Sequence, residues 1–169
     1  MSHLIFLCIA LWLVAPVQAG TSIAVLDFEL RDLTLDPGIP KEIERTASIK
    51  KILVGELERA GYRMVNIDLK AQHQANAGFG YLFDHADVAA VLGKAVGAEY
   101  VLVGRLHKPS FLFAYLMGHL VRTRDGQVIG NYIVETKGGD KKLTLKAVES
   151  LTVKIDGQLD QRYTPPDPH

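Results

Sequence analysis

Tyr100-Val101-Leu102-Val103-Gly104-Arg105-Leu106, then His107-Lys108-Pro109-Ser110, then Phe111-Leu112-Phe113-Ala114-Tyr115-Leu116-Met117 is the stretch on which the fold turns. Two apolar runs of strand length, separated by a proline that cannot donate to a ladder, describe an antiparallel pair. With Lys108-Pro109-Ser110 as the turn, His107 faces Phe111, Arg105 faces Phe113, Val103 faces Tyr115 and Glu99 faces His119. One face then carries Val101, Val103 and Arg105 beside Phe111, Phe113, Tyr115 and Met117, and the other carries Leu102 and Leu106 beside Leu112, Ala114 and Leu116. A pair apolar on both faces belongs in the middle of a sheet covered on both sides. Either the chain's own helices cover both faces, or the Phe-Tyr-Met face awaits a second subunit, another protein or lipid.

Outward from this pair the elements alternate. Ser22 to Phe28 is a short apolar run ending in acidic residues, as a buried strand does. Glu29 to Pro40 reads as a loop, and Lys41 to Ala60 as a helix, with Ile43, Ala47, Ile49, Ile52, Leu53 and Leu57 at helical spacing and Gly61 closing it. Tyr62 to Ile67 is a second strand, and Lys70 to Gly80 a short helix and loop. Asp84 is placed to cap a helix over His85 to Val96, with Val88, Ala89, Val91 and Leu92 inward. Downstream, Asp125-Gly126 is a hairpin signal that makes Gln127 to Lys137 the return strand. Leu143 to Leu159 is an amphipathic helix, with Leu145, Val148, Leu151, Val153 and Ile155, and the proline-rich residues 164–169 form a frayed tail. Early strands separated by helices demand parallel crossovers, while the late meander is antiparallel. The fold class is therefore α/β, a single domain over residues 20–163 with a mixed sheet of about five strands and three to four helices.

The 169 residues carry 19 Lys+Arg against 19 Asp+Glu, a net charge of zero. That balance argues against a nucleic-acid partner, which requires a concentrated positive field. At the N-terminus, Leu4 to Val14 is an uncharged apolar run followed by Pro16 and by Val17-Gln18-Ala19. It is too short to span a membrane and has the small residues of a cleavage site, so residues 1–19 read as a signal peptide cut after Ala19. Cys8 and Trp12 leave with it, and an exported chain without cysteine relies on its core alone. The localisation expected is periplasmic, with no transmembrane span after cleavage.

No nucleophile elbow, metal-protease motif or paired-carboxylate spacing emerges, and no catalytic residue or cofactor is assigned. Asp27 and Glu29, at the end of the first strand, can supply oxygen ligands to a hard cation, or can simply bond local backbone amides. In the hairpin register above, His107 and His119 stand at opposite ends and cannot share a zinc ion. Asn76 to His85 combines glycines with Phe79, Tyr81 and Phe83 ahead of a helix. It is read as a packed loop or as a recognition loop, since aromatic residues on loops anchor interfaces.

The segments Ile23 to Asp32, Gly80-Tyr81-Leu82-Phe83-Asp84-His85 and Leu102 to Phe111 resemble an uncharacterised family of small secreted bacterial proteins, a domain of unknown function. The resemblance also associates the chain with periplasmic quinoprotein dehydrogenase systems. More distantly, the AVLDF strand, the YVLVG strand and the TRDGQVI hairpin are similar to the N-terminal domain of the Tol-Pal β-propeller protein and to the curli-secretion lipoproteins. That likeness implies an envelope assembly or interaction module rather than an enzyme, although the curli family's lipid-bearing cysteine is missing at the cleavage site. The expected partner is a periplasmic or envelope protein, docking on Tyr81, Phe83, His85, Arg105, His107 and Phe111. The alternative is a small-ligand or metal-binding accessory protein using Asp27, Glu29, His85 and His107. A homo-oligomer through the 100–122 hairpin is a third possibility.

Overall fold

The computed structural model describes residues 20–165, so the expected signal peptide and the last four residues of the expected tail lie outside it. Within it, six strands form one mixed sheet: β1 Ser22–Val25, β2 Glu29–Asp32, β3 Arg63–Val65, β4 Tyr100–Lys108, β5 Phe113–Arg122 and β6 Gln127–Lys137. The order is β3-β1-β4-β5-β6, with β2 also beside β4. Pairings among β1, β3, β4 and β2 are parallel, and those of β4 with β5 and of β5 with β6 are antiparallel. The expected mixed α/β sheet is what the chain forms.

β2 is an addition to that expectation. Its sequence, Glu29-Leu30-Arg31-Asp32, reads as loop because three of its four residues are charged. Nevertheless β1 pairs with β4 only at Tyr100 to Leu102, which leaves the distal half of β4 without a parallel neighbour. Glu29 to Asp32 supplies it, pairing with Arg105 to Lys108 and satisfying backbone groups that would otherwise be stranded.

Helices cover both faces of β4. On one, α1 (Pro40–Arg59) and α5 (Lys141–Gln158) press Ile49, Leu53, Leu57, Val148, Leu151 and Ile155 onto Ile23, Leu102, Leu106, Leu116 and Leu120. Asp140 caps α5, its carboxylate accepting the Leu143 N–H at 2.7 Å. On the other face, α2 (Leu69–Ala75), α3 (Tyr81–Asp84) and α4 (Ala86–Ala95) flank a smaller core of Ala24, Leu26, Leu82, Phe83, Ala89, Val101, Val103 and Val121. This second layer leaves the middle of β6 and the start of β5 uncovered, with Ile133 55% and Phe113 40% exposed. The Phe-Tyr-Met face is thus covered on β4 and left open toward β6.

Three local expectations are corrected. The hairpin turn is longer than Lys108-Pro109-Ser110: residues 109–112 lie outside both strands, with the Ser110 hydroxyl accepting the Phe113 N–H at 3.2 Å. His107 therefore pairs with Tyr115, Arg105 with Met117 and Val103 with His119. Because the shift is an even number of residues, each side chain keeps the face assigned to it. Asp84 ends the short α3 and caps nothing; His85 stands at the N-cap of α4. Finally, α4 buries Ala89, Ala90 and Gly93 rather than Val91, which is exposed. Small residues let this helix approach the sheet: a Cβ on Gly93 would stand 2.6 Å from Thr123 and 3.0 Å from Val101.

The segment after α5 is held by two carboxylates: Glu56 accepts the Tyr163 hydroxyl at 2.6 Å, and Asp156 makes the larger set of bonds. Asp156 accepts the Tyr62 hydroxyl at 2.7 Å and the N–H groups of Arg162 and Tyr163, each at 2.9 Å. Burial alone would raise its pKa. The three hydrogen bonds and the Arg162 charge outweigh that and hold it below the ordinary carboxylate value. A depressed folded pKa gives stability that is present above the unfolded value of about 4 and is lost as pH falls through the folded value. Asp156→Asn is expected to lower the urea midpoint at neutral pH and to flatten its acid limb, read by denaturation between about pH 6 and pH 3. An unchanged acid limb would show that another group dominates it.

Candidate functional site

The carboxyl ends of β1, β2 and β4 meet the loop before α3, the arrangement in which open α/β sheets place their binding crevices. Glu29 and Arg105 are register partners on β2 and β4. The Arg105 Nη2 lies 3.3 Å from the Glu29 carboxylate, whose two oxygens also accept the Gly80 N–H at 3.1 Å. Gly80 has φ +83°, and a Cβ there would stand 2.9 Å from Arg105, so the position requires glycine on both counts. The Arg105 guanidinium lies 4.2 Å from the centre of the Phe83 ring and 5.6 Å from that of Phe79, a double cation–π contact. Beside it opens a polar cavity of about 460 Å³ whose walls include Arg31, Asp32, Phe79, Asp84 and Arg105.

Tyr81, Phe83 and Arg105 are thus brought together, with Phe83 and Arg105 buried and Tyr81 half-buried. His107 lies on the same face of β4, one pair beyond Arg105. Burial first, and then the charges of Arg31 and Arg105, push its pKa below the ordinary imidazole value, so the ring is neutral at pH 7. His85 is exposed, its ring stacked on Tyr81 with centroids 4.0 Å apart. Phe111 stands 62% exposed on the hairpin tip, its ring 5.7 Å from the Lys108 ammonium.

The four candidate ligands are not gathered at one point. Asp27 turns to Lys50 of α1 at 3.3 Å, while its backbone N–H and carbonyl are both bonded by the Gln72 side chain. Glu29 is committed to Arg105 and Gly80. Among the described residues, no group of three His, Cys, Asp or Glu side chains is placed to hold a metal ion.

Two features escaped the sequence reading. The first is a buried ionic network. Lys108 Nζ lies 3.8 Å from Asp32 and 3.4 Å from Glu42. Glu42 pairs with Arg45 at 3.2 Å, and Arg45 donates to Thr144 at 2.9 Å and to Thr136 at 3.0 Å. It joins β2, β4, α1, α5 and β6. Its signal was the helical spacing of Glu42, Arg45 and Ile49, which puts two charges on the buried stripe of α1. The second is the set of exposed leucines, Leu33, Leu35 and Leu112, that extends Phe79 and Phe111, both named from the sequence, into an apolar rim around the site. Leu33 and Phe79 line the cavity; Leu35, at 96% exposure, is on the loop after Leu33, and Phe111, Leu112 and Phe113 form the hairpin tip.

The chain belongs to the DUF3280 family, described as "Protein of unknown function (DUF2380)", which matches residues 21–155. This is the uncharacterised family whose motifs the sequence shows. Solved structures share the fold. LpoB from E. coli is 18% identical with a TM-score of 0.52, the match covering 72% of this chain and 58% of LpoB. A PelC dodecamer from Paraburkholderia phytofirmans is 17% identical with a TM-score of 0.52, covering 87% of this chain and 91% of that one. TolB from Acinetobacter baumannii is 17% identical with a TM-score of 0.54, covering 88% of this chain and 30% of TolB. The chain therefore spans little more than half of LpoB and under a third of TolB. At these identities the likeness is one of fold. No curated protein is a significant sequence match.

Proposed function

We propose that the chain is an exported, non-catalytic interaction module of the bacterial envelope, which docks a partner protein at the carboxyl end of its sheet. One observation carries the reading. Phe79, Phe111 and Leu112 stand exposed on loops braced by buried ion pairs, at the place where an α/β sheet presents its binding edge. Exposed apolar groups held on a rigid frame lose little entropy on docking, and aromatic side chains at the centre of an interface dominate its energy. Phe83 and Arg105 act from beneath, positioning the Phe79 and Tyr81 loop, while Tyr81, His85, His107 and Phe111 offer accessible contacts. Export rests on the Leu4 to Ala19 segment, and the envelope setting on the likeness to the Tol-Pal protein and the curli-secretion lipoproteins. An envelope assembly or quinoprotein dehydrogenase system is the setting we favour.

A paired capture tests this. Tagged protein and a Phe111→Asp/Leu112→Asp variant are recovered from periplasmic extract under identical conditions. One stoichiometric partner lost with the variant is the expected result, with unchanged thermal unfolding of the chain itself. Equal recovery by both proteins would overturn the proposed surface. The open Phe113 and Ile133 face, together with the fold shared with a dodecameric PelC, favours self-association as the second reading. It predicts a mass of two or more chains in solution, reduced to one by Ile133→Asp.

A further inference from the structure

A second cavity, of about 380 Å³, lies between the N-terminal half of α1 and the start of α5, separate from the Arg105 site. Its size is that of a small-molecule pocket. Its floor is made by Ile52 and by Arg45, whose donors are already committed to Glu42, Thr144 and Thr136. Arg45 therefore shapes the wall rather than seeking a ligand. The mouth is different. Lys41, Lys51 and Lys141 line it, and among the described residues none of the three has an ion-pair partner. Only one carboxylate, Glu44, shares the lining. In a chain of zero net charge, three exposed lysines without an ion-pair partner thus line one cavity.

We propose that this cavity binds an amphipathic anion, a phosphate or carboxylate head set among Lys41, Lys51 and Lys141 with its apolar body lying over Ile52. Lysine stems present methylene surface to that body while their charges reach the head. A bare inorganic anion uses only the rim, and an uncharged apolar molecule only the floor, so each binds less well than the joined ligand. The inference goes beyond the docking surface and does not depend on it.

The test is an NMR titration of the ¹⁵N-labelled chain with octyl phosphate below its micelle concentration, with inorganic phosphate and octanol as the two half-ligands. Octyl phosphate is expected to shift the amides of Ser48, Ile52, Gly139 and Thr144 saturably, and to bind about tenfold or more tightly than either half. Lys51→Glu/Lys141→Glu is expected to weaken it by about tenfold or more, and Ser48→Phe, which fills the opening, to remove it. Both variants are checked for unchanged thermal unfolding. Co-sedimentation of the wild-type chain with phosphatidylglycerol vesicles, lost in the same variants, identifies a membrane lipid as the source; octyl phosphate binding without co-sedimentation identifies a soluble amphiphile. Equal shifts from inorganic phosphate alone, shifts confined to the Phe111 tip, or indifference to both variants would overturn the proposal.

Discussion

Lys108→Met is expected to remove about 3–5 kcal/mol of stability at neutral pH, the loss typical when one member of a buried ion pair is deleted. The Lys108 side chain is only 7% exposed, and the two carboxylates it faces, on Asp32 and Glu42, are 3% and 5% exposed. Removing the ammonium leaves Asp32 without an ion-pair partner, in a medium where an unpaired charge is costly, and leaves Glu42 with Arg45 alone. The comparison is Lys137→Met, which breaks the exposed pair with Glu135 at 4.0 Å and is expected to cost under about 1 kcal/mol.

The deficit of Lys108→Met also depends on pH, in a defined direction. Burial raises the Asp32 pKa. The Thr34 hydroxyl, the N–H groups of Thr34 and Gly38, and the Lys108 charge together hold it below the ordinary value. Its contribution is therefore present above the unfolded carboxylate pKa and is lost as pH falls through the folded one. Without Lys108 the folded pKa is less depressed, so wild type and variant are expected to converge on acidification. Urea midpoints across the acid range check this; a deficit that grows as pH falls would contradict it. Adding Asp32→Asn to Lys108→Met is expected to restore part of the loss, because it removes the carboxylate charge left without a cation, whereas removing Glu42 would strand Arg45.

Gly104→Ala is the second large effect, about 3 kcal/mol, and its cause is steric. The ring of Phe28 lies directly over Gly104, and a Cβ there would overlap the ring atoms. Phe28 is 8% exposed and belongs to the core shared with Ile23, Leu102 and Leu106, so the ring has nowhere to move. Overpacking of this kind in a dense core forces backbone shifts. Shortening the ring residue makes room, and Gly104→Ala/Phe28→Leu is expected to be more stable than the sum of the single changes predicts, by about 1–2 kcal/mol. Additive single effects would show that the ring is not what excludes the methyl group.

These two sites also show where sequence reading succeeds and where it stops. Strand and helix periodicity in Tyr100 to Leu106, Ile43 to Leu57 and Gln127 to Lys137 is local, and the elements there match within a few residues. The parity of the β4–β5 pair survived a wrong turn length because side-chain direction repeats every two residues. β2 stayed hidden because its reason for being a strand is the unpaired half of β4, far away in sequence. Val91 was assigned inward because it is the more apolar residue, whereas the close approach of α4 to Val101 and Thr123 selects Ala90 and Gly93. In the site, Tyr81, Phe83 and Arg105 were legible as aromatic and charged residues on loop and strand. That Arg105 lies against two rings and pairs with Glu29, which also accepts the Gly80 N–H, depends on three segments meeting, which no single stretch announces. Lys108, Glu42 and Asp32 read as surface charges until folding buries them together.

The docking claim is tested most directly by photo-crosslinking in living cells, with benzoylphenylalanine placed at Phe111 or, as a control, at Val91, an equally exposed apolar position on the outer side of α4. The account predicts one discrete adduct of defined mass from Phe111 and none from Val91. No adduct from Phe111, or the same adducts from both positions, would contradict it.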